Sequence, residues 1–215
     1  MVQNVTEELV FILVFLLMYA VFGFARIYYR RKAAKAKREQ SDQPPKTKPI
    51  RSWAHTTISI SILGMLIAYL LYLFVTPWFP WFPLPLPSFL RWFGVIPCAV
   101  AIPLLIWTHR TLGRCYSPEL EIQDQHQLIN TGPYACIRHP MYTVFILFIL
   151  GTVLLTANLF ITIFGLLVCL LLYPISKQEE QMLLTEFGDQ YRDYMNRTGR
   201  FLPRIRQLSR QEEES

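Results

Sequence analysis

The chain has 215 residues, 53% of them hydrophobic, with 21 Lys and Arg against 15 Asp and Glu and a formal net charge of +6. Its apolar residues stand in blocks too continuous for the half-buried helices of a soluble domain, which marks an integral membrane protein. The positive charge collects between the blocks, where contact with anionic lipid headgroups accounts for it, so it is no argument for nucleic acid; no RNA- or DNA-binding motif, P-loop, GxGxxG or internal repeat occurs.

The first span is placed at residues 9–28. It lacks a basic leading region, carries Glu7 and Glu8 ahead of it and is followed by a basic run, so it reads as a retained anchor and not a cleaved signal. A basic loop follows at 29–55, with a Pro-containing linker over 40–48, and the second span is placed at 57–76. The connection at 77–91 is rich in Trp, Phe and Pro, a composition that opposes regular helix and strand and suits an interfacial aromatic anchor, with a binding role as the alternative. The third span falls at 92–109, followed by a polar segment at 110–139.

From Pro140 to Ser176 there are 37 residues without Asp, Glu, Lys, Arg or His. At 1.5 Å per residue one helix of that length would cover roughly 55 Å, against a hydrocarbon core of about 30 Å. The segment is therefore expected to fold back as a hairpin turning at Thr156, Ala157 and Asn158, with spans at 140–157 and 159–176 and a helix and tail at 177–215. The fold class is thus all-α, with five transmembrane helices in one membrane domain, and the tail over 207–215 is expected to be disordered.

Ten of the 21 basic residues lie between Arg26 and Arg51, three more are Arg110, Arg114 and Arg138, and seven follow the last span; only Arg91 lies elsewhere. In a five-span chain those three segments share one side, so the positive-inside rule puts them in the cytoplasm and the N-terminus outside. The membrane would be the inner membrane of a prokaryote or the endoplasmic reticulum of a eukaryote. Cys98, Cys115, Cys136 and Cys169 show no CxxC spacing, and His55 and His109 stand singly at membrane edges, so neither disulfides nor a metal site is expected.

The polar segment ends in GPYACIRHPMY, Gly132 to Tyr142, and forty positions after His139 comes the pair Glu179 and Glu180. Pro140 suits the first position of a helix, whose free N–H groups favour an anion. Arg138 and His139 either add to an anion pocket there or mark the membrane boundary. Taking one helix from Lys177 to Tyr194, Leu183, Phe187, Tyr191 and Tyr194 share an apolar face, and Glu179 extends it. On that face Glu179 needs a cationic partner, which is Arg138 or a positively charged ligand; Glu180, about 100° round, fits either side.

The run DQHQLINTGPYACIRHPMY, then the hairpin, then EEQMLLTEFGDQYRDYMNRTGRFLP resembles the isoprenylcysteine carboxyl methyltransferases and their phospholipid-methyltransferase-like relatives, especially compact five-span prokaryotic members. LGRCYSPELEI fits the same pattern, while the first two spans match in topology only. The resemblance implies an enzyme that binds S-adenosyl-L-methionine at the cytoplasmic face through His126, Gln127, Leu128, Ile129, Tyr134, His139, Pro140, Met141, Tyr142 and Glu179. Leu128, Ile129 and Tyr134 would enclose the adenine, the helix start would hold the methionyl carboxylate, and Glu179 would pair with the ammonium. The acceptor, entering from the bilayer, would be the carboxylate of an isoprenylated cysteine or an analogue; a phospholipid amine is the alternative. Arg138 and Glu180 are the catalytic candidates, Glu180 or His139 serving as base if the acceptor is an amine. One departure concerns the acceptor: where such carboxyl methyltransferases carry an arginine, this chain has Ile175, leaving Lys177 or Arg138 as substitutes. Rival readings are a sterol-reductase-like enzyme using NADPH, which would call for added cations, and a non-enzymatic membrane adaptor, which would leave Glu179 without a purpose.

Overall fold

A computed structural model describes residues 2–38, 53–76, 82–112 and 128–204, with side chains omitted at 2–4, 34, 36–38 and 53–55. The linker at 40–48, the tip of the aromatic connection, Cys115, His126, Gln127, the side chain of His55 and the tail at 207–215 lie outside the described residues.

The helices are α1 (Val2–Arg38), α2 (Trp53–Val75), α3 (Ser88–Phe93), α4 (Val95–Leu112), α5 (Pro140–Thr156), α6 (Leu159–Phe187) and α7 (Asp189–Arg197), with a 3-10 turn at Gly132–Ala135 ahead of α5. Among the described residues the only extended pairings are isolated bridges, so the fold is all-α. Four stretches are long and apolar enough to cross a membrane: Val5–Ala33, Thr56–Val75, Ser88–Leu112 and Leu159–Phe187. A fifth apolar helix, Pro140–Thr156, is shorter, 17 residues, or about 26 Å at 1.5 Å per residue. These helices are apolar all round, as a membrane span must be, and the chain is a multi-pass integral membrane protein.

Packing follows chain reversal. α4 lies against α5, α2 against α6, and α1 against α4 and α5. Without a hydrophobic drive between helices in lipid, close approach supplies much of the cohesion, and small residues permit it. Gly94, where α3 gives way to α4, faces the backbone of Gly151 on α5, and a Cβ on either glycine would overlap the other helix. Two apolar clusters result, one around Phe22, Leu105, Val144 and Phe148, the other around Phe15, Tyr69, Tyr72 and Ile161.

The α5–α6 reversal is closed by local chemistry. Ala157 takes a left-handed conformation (φ 44) as the helix C-cap, and the Asn158 side chain accepts hydrogen bonds from the N–H groups of Phe160 and Ile161, capping α6. The aromatic connection docks here: Leu84 N–H donates to Ala157 O (2.6 Å), Leu159 N–H donates to Phe82 O (3.0 Å), and Ser88–Phe93 is helical.

α6 continues beyond the charge-free part, which ends at Ser176, for three more turns and carries both glutamates. The single helix expected from Lys177 to Tyr194 is broken at Gly188, whose φ of 53 ends α6 and starts α7. A left-handed residue resets the helical phase, so Tyr191 and Tyr194 do not continue the stripe of Leu183 and Phe187.

Candidate functional site

The site forms where three separated pieces of chain meet: residues 137–143, the end of α6, and residues 198–201. A short parallel stitch joins the first and third. Arg138 N–H donates to Gly199 O (2.8 Å), His139 N–H to Arg200 O (3.0 Å) and Gly199 N–H to Cys136 O (3.1 Å). Gly199 is required there because a Cβ would collide with the carbonyl of Leu202. Thr143 Oγ1 donates to Phe201 O (2.6 Å), and the Tyr194 hydroxyl donates to Tyr134 O (2.7 Å), tying α7 to the 3-10 turn.

Glu180, not Glu179, is the buried carboxylate, with 3% of its surface exposed. Its Oε1 accepts from Arg138 Nε (2.8 Å), Arg200 Nε (3.2 Å) and His139 Nε2 (3.2 Å), and its Oε2 pairs with a terminal nitrogen of Arg200. Arg138 also donates to the carbonyls of Met195 (2.9 Å) and Thr198. Burial opposes charge on Glu180, but hydrogen bonds from His139, Arg200 and Arg138 outweigh it and hold the carboxyl well below its usual range. It stays a carboxylate, and its lone pairs are taken.

Glu179 is the more open of the two, its side chain 28% exposed. Its Oε2 accepts from the Tyr142 hydroxyl (3.0 Å) and lies 3.3 Å from His139 Nδ1. Oε1 has no partner among the described residues. The cationic partner that Glu179 requires is therefore His139, and Arg138 pairs with Glu180 instead. Periodicity puts Glu179 on the packing face and leaves Glu180 open; Glu180 is the one buried, by guanidinium groups from distant parts of the chain, which leave no apolar stripe to read.

His139 sits between the carboxylates, its ring stacked on Tyr142 with centroids 5.3 Å apart and planes 4° from parallel. Burial opposes its charged form, but hydrogen bonds to Glu179 and Glu180 and their negative charge outweigh that and raise its pKa above the ordinary histidine value. A neutral ring donates through one nitrogen only, whereas an imidazolium serves both carboxylates at once.

The first turn of α5 offers less to an anion than a bare helix end. Pro140 has no N–H, and Tyr142 and Thr143 both donate to His139 O (3.0 and 3.1 Å), so Met141 N–H is the donor left among the described residues. Met141 also packs on the core cluster of α1, α4 and α5, and Pro140 is buried. Leu128 and Ile129 are half-buried and lead into the 3-10 turn that holds Tyr134. Lys177 lies over the exposed Tyr173 ring at 5.1 Å, about 200° round α6 from Glu179.

Arg200 is the participant that sequence reading missed. It joins Glu180 to the Tyr173 ring, 4.8 Å from its guanidinium. The TGRFLP run that holds it was visible as part of a resemblance, but nothing local says that its arginine returns to a glutamate twenty positions back.

Residues 93–185 match the model of the isoprenylcysteine carboxyl methyltransferase family. The chain is similar to the cobalt-zinc-cadmium resistance protein CzcN of Cupriavidus metallidurans, 30% identical over 118 residues that cover 54% of this chain and 55% of that one. It is also similar to protein-S-isoprenylcysteine O-methyltransferase of Schizosaccharomyces pombe, 37% identical over 84 residues, 37% of this chain and 34% of that one. The matches thus span about half and a third of these relatives' lengths. In fold it is similar to a eukaryotic intramembrane Ras methyltransferase, with a TM-score of 0.53, 22% identity, and coverage of 87% of this chain and 68% of the other. The segment that builds the hairpin and both glutamates is thus the part of the chain that matches the isoprenylcysteine carboxyl methyltransferase family.

Proposed function

We propose that this membrane protein transfers the methyl group of S-adenosylmethionine to a lipophilic acceptor entering from the bilayer, the carboxylate of an isoprenylated cysteine or a close analogue. The observation that carries this reading is Glu179: within the segment that matches this family, a half-open carboxylate with one oxygen oriented by Tyr142 and His139 and the other without a partner among the described residues. The uneven distribution of basic residues supports a cytoplasmic site with the N-terminus outside.

The residues fit the donor in kind. Glu179 binds its ammonium, and Tyr142 and His139 hold Glu179 in place. Met141 N–H is available to its carboxylate. Leu128, Ile129 and Tyr134 lie on the approach to the helix start and would cover the adenine, with His126 and Gln127 preceding them in the chain. When bound, the donor supplies an electrophilic methyl on a sulfonium, and acceleration of such an in-line displacement rests mainly on orientation and exclusion of water. Arg138, Arg200 and Glu180 serve that orientation from behind, by locking residues 137–139 and 199–200 onto α6.

The acceptor chemistry follows from the protonation states. A carboxylate is already a nucleophile at neutral pH and gives up no proton. A phospholipid amine needs a base, yet Glu180, the buried candidate, is fully engaged by Arg138, Arg200 and His139. The carboxylate is thus the acceptor this arrangement serves without change. The test is transfer of labelled methyl to a panel containing a farnesylcysteine analogue and phosphatidylethanolamine: label in the former and none in the latter is expected, and label in the amine alone would overturn the carboxylate assignment.

A further inference from the structure

The side of α6 turned away from Glu179 changes character as the helix leaves its charge-free part. Ile163, Leu166, Leu170, Tyr173 and Lys177 recur at spacings of three and four and are all exposed, so they form one lipid-facing stripe that runs from aliphatic to aromatic to cationic. A tyrosine followed by a lysine at the end of a span is ordinary snorkelling. The added feature is Arg200, which arrives from beyond α7. Its guanidinium lies 4.8 Å from the Tyr173 ring centroid, and the Lys177 ammonium lies 5.1 Å from the same centroid. Two cations thus flank one exposed ring.

Their donors are not used up. Arg200 commits Nε and one terminal nitrogen to Glu180, a carboxylate already shared with Arg138 and His139, and its Nη1 has no hydrogen-bond partner among the described residues. Lys177 has no ion pair among the described residues, and the Tyr173 hydroxyl has no hydrogen bond there. An ammonium, a guanidinium edge and a phenol hydroxyl therefore stand around one ring with donors to offer, a set that suits the oxygens of a phosphate. The ring belongs to the lipid-facing stripe, along which Ile163, Leu166 and Leu170 give acyl chains a surface, so the phosphate is that of a phospholipid. Two cations favour a headgroup with net negative charge over one that carries its own ammonium. We propose that the phosphate of an anionic phospholipid binds between Lys177 and Arg200 against Tyr173, and that this lipid, by holding Arg200, braces the clasp of residues 199–201 on Glu180. The inference does not depend on methyl transfer, and its site faces away from Glu179.

The experiment places the full-length protein in nanodiscs of equal parts phosphatidylcholine and phosphatidylglycerol and counts the phospholipids it retains by native mass spectrometry. Unfolding temperature is followed in the same discs and in discs of phosphatidylcholine alone. Wild type is expected to retain phosphatidylglycerol over phosphatidylcholine by roughly tenfold or more, and Lys177→Gln to lower that preference roughly fivefold, the effect of one basic residue near the surface. Tyr173→Leu should lower it by roughly twofold. Arg110→Gln removes an exposed cation at the end of α4 and should leave the preference within about twofold of wild type. Phosphatidylglycerol should raise the unfolding temperature of wild type, and by less than half as much that of Lys177→Gln. Absence of a preference in wild type, its survival in Lys177→Gln, or an equal loss in Arg110→Gln, the mark of a diffuse basic surface, would overturn the site. Displacement of the retained lipid by millimolar glycerol phosphate would assign the site to a soluble phosphate instead. An equal rise in unfolding temperature in wild type and Lys177→Gln would overturn the bracing of the clasp.

Discussion

Glu8 and Glu179 stand at opposite ends of the bundle with the same side-chain exposure, 28% each. Glu8 is closed. Arg91, itself 7% exposed, grips both of its oxygens, donates Nε to Leu155 O (3.0 Å), reaches the Tyr72 hydroxyl (3.5 Å) and lies over the Phe11 ring at 3.8 Å. One cation and one anion satisfy each other while joining α1, α2, α3 and α5. Glu179 is open, with one oxygen held by Tyr142 and His139 and the other without a partner among the described residues. Behind it stand two arginines, a histidine and the buried Glu180. Exposure therefore does not separate a carboxylate closed by the protein from one with room for a ligand; the number of lone pairs already taken does.

The sharpest way to break this contrast is to remove Glu180, which leaves two guanidinium groups and an imidazolium facing each other. Glu180→Ala should cost about 3–5 kcal/mol, the range for breaking a buried pair by deleting one partner, and should appear as a large drop in the unfolding temperature in detergent. Arg91→Ala should cost about 3 kcal/mol by the same logic, yet leave S-adenosylhomocysteine affinity unchanged in the folded fraction. If Arg91→Ala weakens cofactor binding tenfold or more, the two ends are not independent.

Smaller effects sharpen the open end. Binding of an ammonium at Glu179 removes part of the negative charge that raises the pKa of His139, so a proton should leave as the ligand enters. The sign is definite. Below the ordinary histidine pKa of about 6.5 His139 is charged and competes with the ligand for Glu179, so affinity should rise as pH increases through the raised value and then level off. Calorimetry in two buffers of different ionisation enthalpy should register proton release near pH 7; proton uptake would contradict the placement of the ammonium. Tyr142→Phe, which deletes one neutral donor to Glu179, should weaken binding by roughly threefold to tenfold, in line with the loss of a single hydrogen bond to a charged group.

Much of the architecture was legible because lipid enforces simple rules. Apolar blocks without charge announce membrane helices, and 37 uncharged residues exceed a single crossing. Asn158 offers a cap where the hairpin turns. What escaped reading is where chain ends meet the site. Gly188 looks like any glycine until its positive φ separates α7 from α6. Periodicity overstates the burial of Glu179 and leaves Glu180 undecided, since it weighs apolar neighbours and cannot see Arg138 and Arg200 arriving from forty-two positions before and twenty after. Arg91 was noted only as an exception to a charge rule, although its partner Glu8 lies 83 residues away. Long-range ion pairing carries no local signature, and both ends of this bundle are built from it.

The central claim is that Glu179 is a binding carboxylate whose open oxygen receives a ligand cation. It is tested most directly by titrating S-adenosylhomocysteine into wild type and Glu179→Gln, with NADPH as the control ligand. Wild type should bind at micromolar strength and ignore NADPH, and the variant should lose roughly 100-fold, about 2.7 kcal/mol, at an unchanged unfolding temperature. Equal binding by the two proteins, or a wild type that takes NADPH in preference, would contradict it.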